Sequence, residues 1–357
     1  MRITFVLPGW SIDKPVGGFK VVYEYANRLS ERGHAIKVVH PLLLFPDEAR
    51  LKQKIKKSVL QIAKHLLGRN KVKWFSVSSW VSILIVSSLK EENIPEGDVI
   101  IATAWQTAEW VSQYGRDKGE KFYLIQGYEI WSGSEERVKA TWKMPLKKIV
   151  IARWLAEKAK EIGVVVVAYI PNGLDFKQFQ ITCPIEKRNP RRIGMLYHKH
   201  AWKGSKDGIE ALKIVRDEFP DVETVLFSVY TAEMNVPAWV EFCKNPSSTQ
   251  IVEIYNSCSI FVHPSWSEGW SLPPAEAMAC GCAVVSTECG GIREYAEHEV
   301  NALLCPIKDP PALAQNLLRL LQDDDVRVRL AKAGYEHIQK FTWTKAVTRF
   351  EEVLRQK

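Results

Sequence analysis

The sequence predicts an α/β protein made of two doubly wound, parallel-sheet domains with a cleft between them. Three observations carry that expectation. The chain has 357 residues, more than one ordinary core holds and enough for two domains that each bury an interior. Short apolar runs of strand character alternate with stretches of helical periodicity, the pattern of βαβ units and parallel sheets. That alternation occurs twice, on either side of the polar stretch ITCPIEKRNPR (181–191), whose two prolines break the pattern and mark the linker.

The first run opens with RITFVL (2–7), passes through PGWSIDKPVGG into the helix FKVVYEYANRLSER, and stops at Gly33 before a second strand, AIKVVH. DVIIATA (98–104), KFYLIQ (121–126), KIVIA (148–152) and VVVVAY (164–169) continue it as strands. Beyond the linker come RIGMLY (192–197), a helix from Ser205 to about Asp217, VETVLFSV (222–229), SIFVHP (259–264), CAVVST (282–287) and NALLCP (301–306). Asp309 before Pro310 and Pro311 is a helix start, a capping residue followed by proline in the first turn. The expected domains are residues 1–181 and 182–340, with a C-terminal helix in 341–357 returning to the first. Ligands in such sheets sit at the carboxyl ends of the strands.

Apolar residues at 46% and charged residues at 25% fit a soluble globular protein, and no apolar run has the length of a bilayer span. The start, MRITFVLPGW, reads as a buried strand and not a signal peptide, so a cytoplasmic location is expected, at the inner face of the membrane if the chain docks there. Seven cysteines without a CxxC pair read as reduced thiols. The net charge of +8 is uneven: residues 1–180 carry 28 Lys and Arg against 18 Asp and Glu, residues 181–357 21 against 23. Much of that excess lies in 49–74, which holds nine Lys or Arg and no acid. Leu51, Ile55, Val59, Ile62 and Leu66 there line one face of a helix with basic flanks. Such a helix suits an anionic membrane surface; equally, it suits packing on its own sheet with a solvated basic face. No nucleic-acid module accompanies the charge, so nucleic acid is not an expected partner.

One stretch carries chemistry. EGWSLPPAE (268–276) joins a strand to a helix and sets two carboxylates apart by seven residues that include Gly269, Pro273 and Pro274. Gly269 lets backbone approach a ligand, and the N–H groups at the helix start suit an anion such as phosphate. Carboxylates repel phosphate, so Glu268 and Glu276 need hydrogen-bond donors elsewhere on the ligand; sugar and ribose hydroxyls supply them. A structural role explains Glu276 alone, since a glutamate in a first helical turn is stabilised by the helix dipole, but leaves Glu268 beside Gly269 unexplained.

HPSWSEGWSLPPAEAMACGCAVVSTECGG resembles the EX7E region of retaining glycosyltransferases of family 4, which have the GT-B fold of two Rossmann-like domains. VGGFKVVYEYANRLSERGHAIKVV, IPNGLDFKQF (170–179), KGSKDGIEAL (203–212) and FTWTKAVTRFEEVL extend the resemblance over most of the chain. It implies that Glu276 accepts from ribose hydroxyls, Glu268 holds the transferred sugar, and amides near Gly269, Trp270, Ser271 and Leu272 meet sugar or diphosphate. Lys203 then neutralises the departing diphosphate, and Gly17 and Gly18 offer it backbone N–H groups. Three positions depart from the family. His198 stands where an arginine is usual, with Lys199 or His200 as substitutes for the missing cation. Ser271 replaces a common glycine, with little effect expected. Gln126 replaces a histidine and cannot act as a base, so the acceptor proton falls to the departing phosphate or to another residue; the resemblance implies the former, a front-face mechanism. Gln126 and Glu129 are the candidate acceptor contacts, and the bland reading of Gln126 is a strand-end side chain capping a loop.

The expected activity is metal-independent, retaining, hexosyl-type transfer from a dTDP-, UDP- or GDP-sugar to a glycan or lipid-linked glycan, as in bacterial surface polysaccharide synthesis, with a lean toward rhamnosyltransferase-like members. No cofactor is called for, and Asp323, Asp324 and Asp325 read as helix caps rather than metal ligands. The rival readings are a nucleotide-sugar 2-epimerase and a non-catalytic protein that binds nucleotide sugars.

Overall fold

The computed structural model describes residues 1–44, 72–231 and 236–356. The basic stretch therefore lies outside the described residues except for Val72, Lys73 and Trp74. The chain divides into two compact units, Met1–Ile170 with Ala346–Lys357, and Pro171–Lys345.

In the first unit the strands are β1 (Arg2–Val6), β2 (Ala35–Leu43), β3 (Val81–Ser88), β4 (Val99–Ala102), β5 (Glu120–Ile125), β6 (Lys147–Val150) and β7 (Ala168–Tyr169). They form one parallel sheet in the order β3-β2-β1-β4-β5-β6-β7. Ile3, Phe5, Val6, Ile100, Ile101 and Leu124 on its central strands are buried, which is why those strands read as continuous apolar runs without alternation. The strand order reverses between β1 and β4, so the loops leaving those strands diverge. Helix Gly17–Glu31 follows β1 and ends where Gly33 takes φ +83°, a left-handed value that glycine adopts without strain.

None of the four valines of 164–167 is in a strand. Only Ala168 and Tyr169 pair, with Ile149 and Val150, at the sheet edge, and Val165 is 82% exposed. β3 and β10 are edge strands that the sequence reading did not include; β10 alternates polar and apolar residues, whereas β3 carries the apolar run Ile83–Val86.

The second unit holds β8 (Arg192–Leu196), β9 (Glu223–Ser228), β10 (Val240–Lys244), β11 (Ile260–His263), β12 (Ala283–Thr287) and β13 (Leu303–Cys305), a parallel sheet ordered β10-β9-β8-β11-β12-β13. Its core gathers Ile193, Met195, Val262, Val285, Leu317 and Leu330 from strands and covering helices. Its order reverses between β8 and β11, and those two carboxyl ends feed the loops 197–204 and 264–271. Asp309 and Asp323 cap helices Pro310–Gln322 and Asp324–Ile338, accepting from Ala312 N and Val326 N, and Asp324 pairs with Arg327. The acidic triplet is thus helix-start chemistry.

The units divide after Ile170, ahead of the polar stretch at 181–191, because side chains fasten that stretch to the second unit. Asn256 Oδ1 accepts from Thr182 N at 2.7 Å, Asn256 Nδ2 donates to Gln180 O, and the buried Arg188 donates to the carbonyls of Cys183 and Cys258. At the other end helix Trp343–Arg355 carries the chain into the first unit. Phe350 stacks on Tyr25 with ring centroids 4.3 Å apart, and Glu351 accepts from Arg32 at 2.9 Å and pairs with His34 at 3.0 Å.

Candidate functional site

The reversal point of the second sheet assembles the polar cluster. After β8 a short turn, Ala201–Lys203, ends at Gly204 with φ +63°. A Cβ at Gly204 would lie 1.8 Å from the carbonyl oxygen of Pro264, so only glycine lets the loop after β8 press against the loop after β11. That approach delivers Lys203 Nζ to Glu268, 2.7 Å from Oε1 and 2.9 Å from Oε2. Ser265 Oγ donates to the same Oε1 at 2.9 Å, and His263 Nε2 stands 3.9 Å from it. The Glu268 backbone is held on both sides, its N–H by Cys289 O and its C=O by Gly291 N–H.

Burial alone would raise the Glu268 carboxyl. Lys203, then His263, and the hydrogen bonds from Lys203 and Ser265 outweigh it and hold the group below the ordinary carboxylate range. Burial pushes the His263 imidazole down to about 4, so it is neutral near pH 7. Its Nε2 is buried without a hydrogen-bond partner among the described residues.

The following turn is tight. Ser271 takes φ +59°, a left-handed backbone in which glycine would be unstrained, and Tyr295 Oη donates to its carbonyl. Position 271 thus places a demand on the backbone that the sequence reading had discounted. Trp270 is buried against Tyr295 and Phe341, at 4.9 and 5.6 Å between ring centroids; its side chain packs the core, which leaves only its backbone for a ligand. Leu272, Pro273 and Pro274 begin helix Leu272–Ala279, whose Glu276 is buried and accepts from Tyr255 Oη at 3.3 Å. The two glutamates therefore answer to different partners, Glu268 to a cation and Glu276 to a phenol.

His198 is fixed by its backbone and its ring. Ser205 Oγ accepts from its backbone N–H at 2.8 Å and donates to its carbonyl at 2.9 Å, while His198 Nδ1 accepts from His200 N. That bond leaves the ring proton on Nε2. Burial, with Lys203 and His200 nearby, pushes the imidazole down to about 4. Lys199 lies 5.2 Å over the Tyr230 ring and His200 stacks on Trp202 at 4.3 Å, so each of the substitutes has other company.

In the first unit Gly17 and Gly18 open helix Gly17–Glu31. Gln126, at the end of β5, lies against Gly18 and donates through Nε2 to Gly18 O at 3.3 Å and Thr103 O at 3.4 Å, a loop-capping arrangement. Glu129 Oε2 accepts from Trp105 N–H at 2.9 Å and so caps helix Trp105–Val111, whose own capping position is Ala104. Burial pushes the Glu129 carboxyl up to about 7. Ser265, His263 and Tyr255 escaped the sequence reading. The first two flank the carboxylate motif closely enough to have been suspected; Tyr255 stands 21 residues before Glu276 with no spacing signal. Among the described residues no three His, Cys, Asp or Glu converge as a metal ion would require.

The family model "Glycosyl transferases group 1" matches residues 186–337. A D-inositol 3-phosphate glycosyltransferase of Corynebacterium urealyticum is 31% identical over 123 residues, 34% of this chain and 29% of that protein. An uncharacterized glycosyltransferase of Methanocaldococcus jannaschii is 32% identical over 108 residues, 30% of this chain and 31% of that protein. The chain thus spans about three tenths of the length of the curated relatives it matches. Among solved structures, Anabaena HepE in complex with UDP-glucose superimposes with a TM-score of 0.76 at 17% identity, covering 100% of both chains. Sucrose-phosphate synthase from Thermosynechococcus elongatus gives 0.72 at 17% identity, covering 99% of this chain and 98% of that one. At these identities the likeness is one of fold, and the fold is GT-B: two Rossmann-like α/β units.

Proposed function

We propose, for a chain whose residues 186–337 form a glycosyl transferases group 1 domain, that it moves a sugar from a nucleoside diphosphate sugar to a glycan or glycolipid acceptor. The observation that carries this is the Lys203–Glu268 pair at the reversal point of the second sheet, with Glu276 on the helix that follows. As the bond between C1 and the phosphate oxygen breaks, its electron pair leaves with the diphosphate, whose charge grows. Lys203 is the cation placed to stabilise that charge where it develops. Released from Lys203, Glu268 accepts from hydroxyls of the transferred sugar. Glu276 accepts from the ribose, and amides of Gly269 to Leu272 meet the diphosphate or sugar. Gly17 and Gly18 present backbone N–H groups to phosphate, and His198 contributes an uncharged Nε2–H donor.

The resemblance to retaining enzymes is the support for retention; Gln126 has no basic group, so the acceptor proton goes to the departing phosphate or to another residue, and no step calls for a metal. The acceptor is assigned to the first unit through Gln126 and Glu129. Bacterial surface polysaccharide is the acceptor class in view, with a rhamnosyl donor among those to test. No helix among the described residues is long and apolar enough to cross a membrane. The basic stretch 49–74 suits an anionic surface instead, and failure to co-sediment with anionic vesicles at low salt would remove membrane docking.

A panel of UDP, TDP, GDP, ADP and CDP, each with and without EDTA, tests the donor site by thermal shift, since a ligand of the native state raises the melting temperature. One nucleotide should raise it, and EDTA should leave the rise intact. Glu276→Ala should weaken that nucleotide by roughly 1.5 to 3 kcal/mol, because ribose hydroxyls lose a charged acceptor. A melting temperature unmoved by every nucleotide overturns the reading. The neutral His198 favours a second reading, a nucleotide-sugar-binding protein without turnover; it is distinguished by nucleotide binding without transfer to any acceptor.

A further inference from the structure

The carboxylate cluster of the second unit has one polar atom beside it that nothing uses. His263 is the last residue of β11, held in place by its pairing with Ser286 and by Thr287 Oγ1, which donates to its carbonyl at 3.4 Å. The side chain is buried, and its Nε2 has no hydrogen-bond partner among the described residues. That atom stops 3.9 Å from Glu268 Oε1, about 1 Å beyond hydrogen-bond reach. A lone pair on Nε2 would face a carboxylate oxygen, so the ring proton belongs there, on a donor aimed at Glu268. The charged groups that act on the ring are Glu268, on the loop after β11, and Lys203, on the turn after β8. A buried donor left unpaired is costly, and an apolar side chain in its place would avoid that cost.

The donor is idle because Lys203 already holds the carboxylate, with Nζ 2.7 Å from Oε1 and 2.9 Å from Oε2. Burial keeps the imidazole neutral near pH 7, and a neutral ring does not displace a full positive charge. Once Lys203 turns away, Oε1 retains only Ser265 Oγ and Oε2 retains no partner among the described residues. The Glu268 backbone is held by Cys289 O and Gly291 N–H, so the adjustment falls to its side chain.

We propose that His263 is a positioning residue, the partner that replaces Lys203 on Glu268 when a donor's diphosphate draws the lysine away. This rests on the reading of Lys203 as the cation of the diphosphate, and it adds what keeps the sugar-binding carboxylate in place after that cation has turned. His263 Nε2–H and Ser265 Oγ–H together hold Oε1, which leaves Oε2 to accept from a hydroxyl of the transferred sugar. The exchange is self-reinforcing. The lysine that disfavours a proton on the ring moves off, and the carboxylate that favours one comes closer, so the new bond gains charge assistance as it forms.

Lys203→Met removes the charge but keeps the stem, and so releases the carboxylate without any ligand. His263→Leu should lower the urea midpoint more in that background than in the parent, where Nε2 bonds nothing. Histidine ring NMR should show His263 titrating higher in Lys203→Met than in the parent. With the nucleoside diphosphates UDP, TDP, GDP, ADP and CDP, His263→Leu should weaken whichever binds the parent by roughly tenfold, the worth of a hydrogen bond to a charged group. His263→Gln, whose amide nitrogen reaches the place of Nε2, should restore most of that binding; His263→Asn, whose amide reaches only as far as Nδ1, should not. The proposal is overturned if His263→Leu shifts the midpoint equally with and without the Lys203 charge, if it binds the diphosphate as the parent does, or if glutamine and asparagine behave alike. A parent that binds no diphosphate sinks the donor reading instead, and the two midpoint shifts then decide by themselves whether His263 takes the lysine's place on Glu268.

Discussion

A carboxylate taken out of water needs a cation, and for Glu268 that cation is Lys203. Lys203→Ala should lower stability by roughly 2 to 3 kcal/mol, somewhat under the cost of breaking a fully buried pair because Lys203 keeps partial exposure. Adding Glu268→Ala should return part of that loss, with a coupling of about 1 to 3 kcal/mol in urea unfolding; strictly additive losses would mean that the pair is not energetically linked. Glu129 makes the opposite case, a carboxyl pushed up to about 7 by burial. Its folded-state value lies above its unfolded one, so its contribution is fully present in acid and is lost as pH rises through 7. Glu129→Gln keeps an acceptor for Trp105 N–H without the charge. The variant should therefore gain on the parent as pH goes from 5 to 8, by roughly 2 kcal/mol. A gap that stays constant with pH would show that Glu129 titrates normally. Residue identity at 268, 276 and 203 was legible because motif and spacing announce it. The neutral state of His198 was not, since it depends on a hydrogen bond from His200 and on burial.

At the scale of elements, local signals served where the chemistry is local. Asp309 before two prolines announced a helix start, and the capping bond from Ala312 N is present at 3.0 Å. Asp309→Ala should cost about 1 kcal/mol, the usual worth of such a cap, and a thermal midpoint equal to the parent's would contradict it. Gly204 is a harder constraint, since Gly204→Ala would drive a Cβ into the Pro264 carbonyl as well as strain φ. That variant should lose at least about 2 kcal/mol, together with the Lys203 position; an alanine tolerated there would mean the loops can part without cost. The valine run at 164–167 misled for the converse reason. β propensity describes a residue's fit to a half-buried sheet, and here the pairing with β6 covers only Ala168 and Tyr169. β10 was missed because a strand at an edge need not be apolar on both faces.

Across the described residues, three imidazoles are held near 4 by burial, His40, His198 and His263. Their folded-state values lie below the unfolded 6.5, so the unfolded chain binds more protons between about pH 4 and 6.5, and stability falls as the solution is acidified through that window. Glu129 works against one of the three. With about two protons of net difference, stability should drop by roughly 2 kcal/mol per pH unit between pH 6 and 5, read from urea midpoints. A flat profile there would show that the histidines reach solvent.

The alternation of strands and helices, the duplication of that pattern and the EGWSLPPAE motif were determined by the sequence alone, because periodicity and turn chemistry act between residues close along the chain. Tertiary structure decided what depends on distant neighbours. It attached residues 171–191 to the second unit through Asn256 and Arg188, and set Lys203 against Glu268 across a contact that only Gly204 permits. It also buried His198 and His263 into neutrality. Charge state and contact depend on which groups share a small volume, and that sharing exists only once the sheet has ordered its strands.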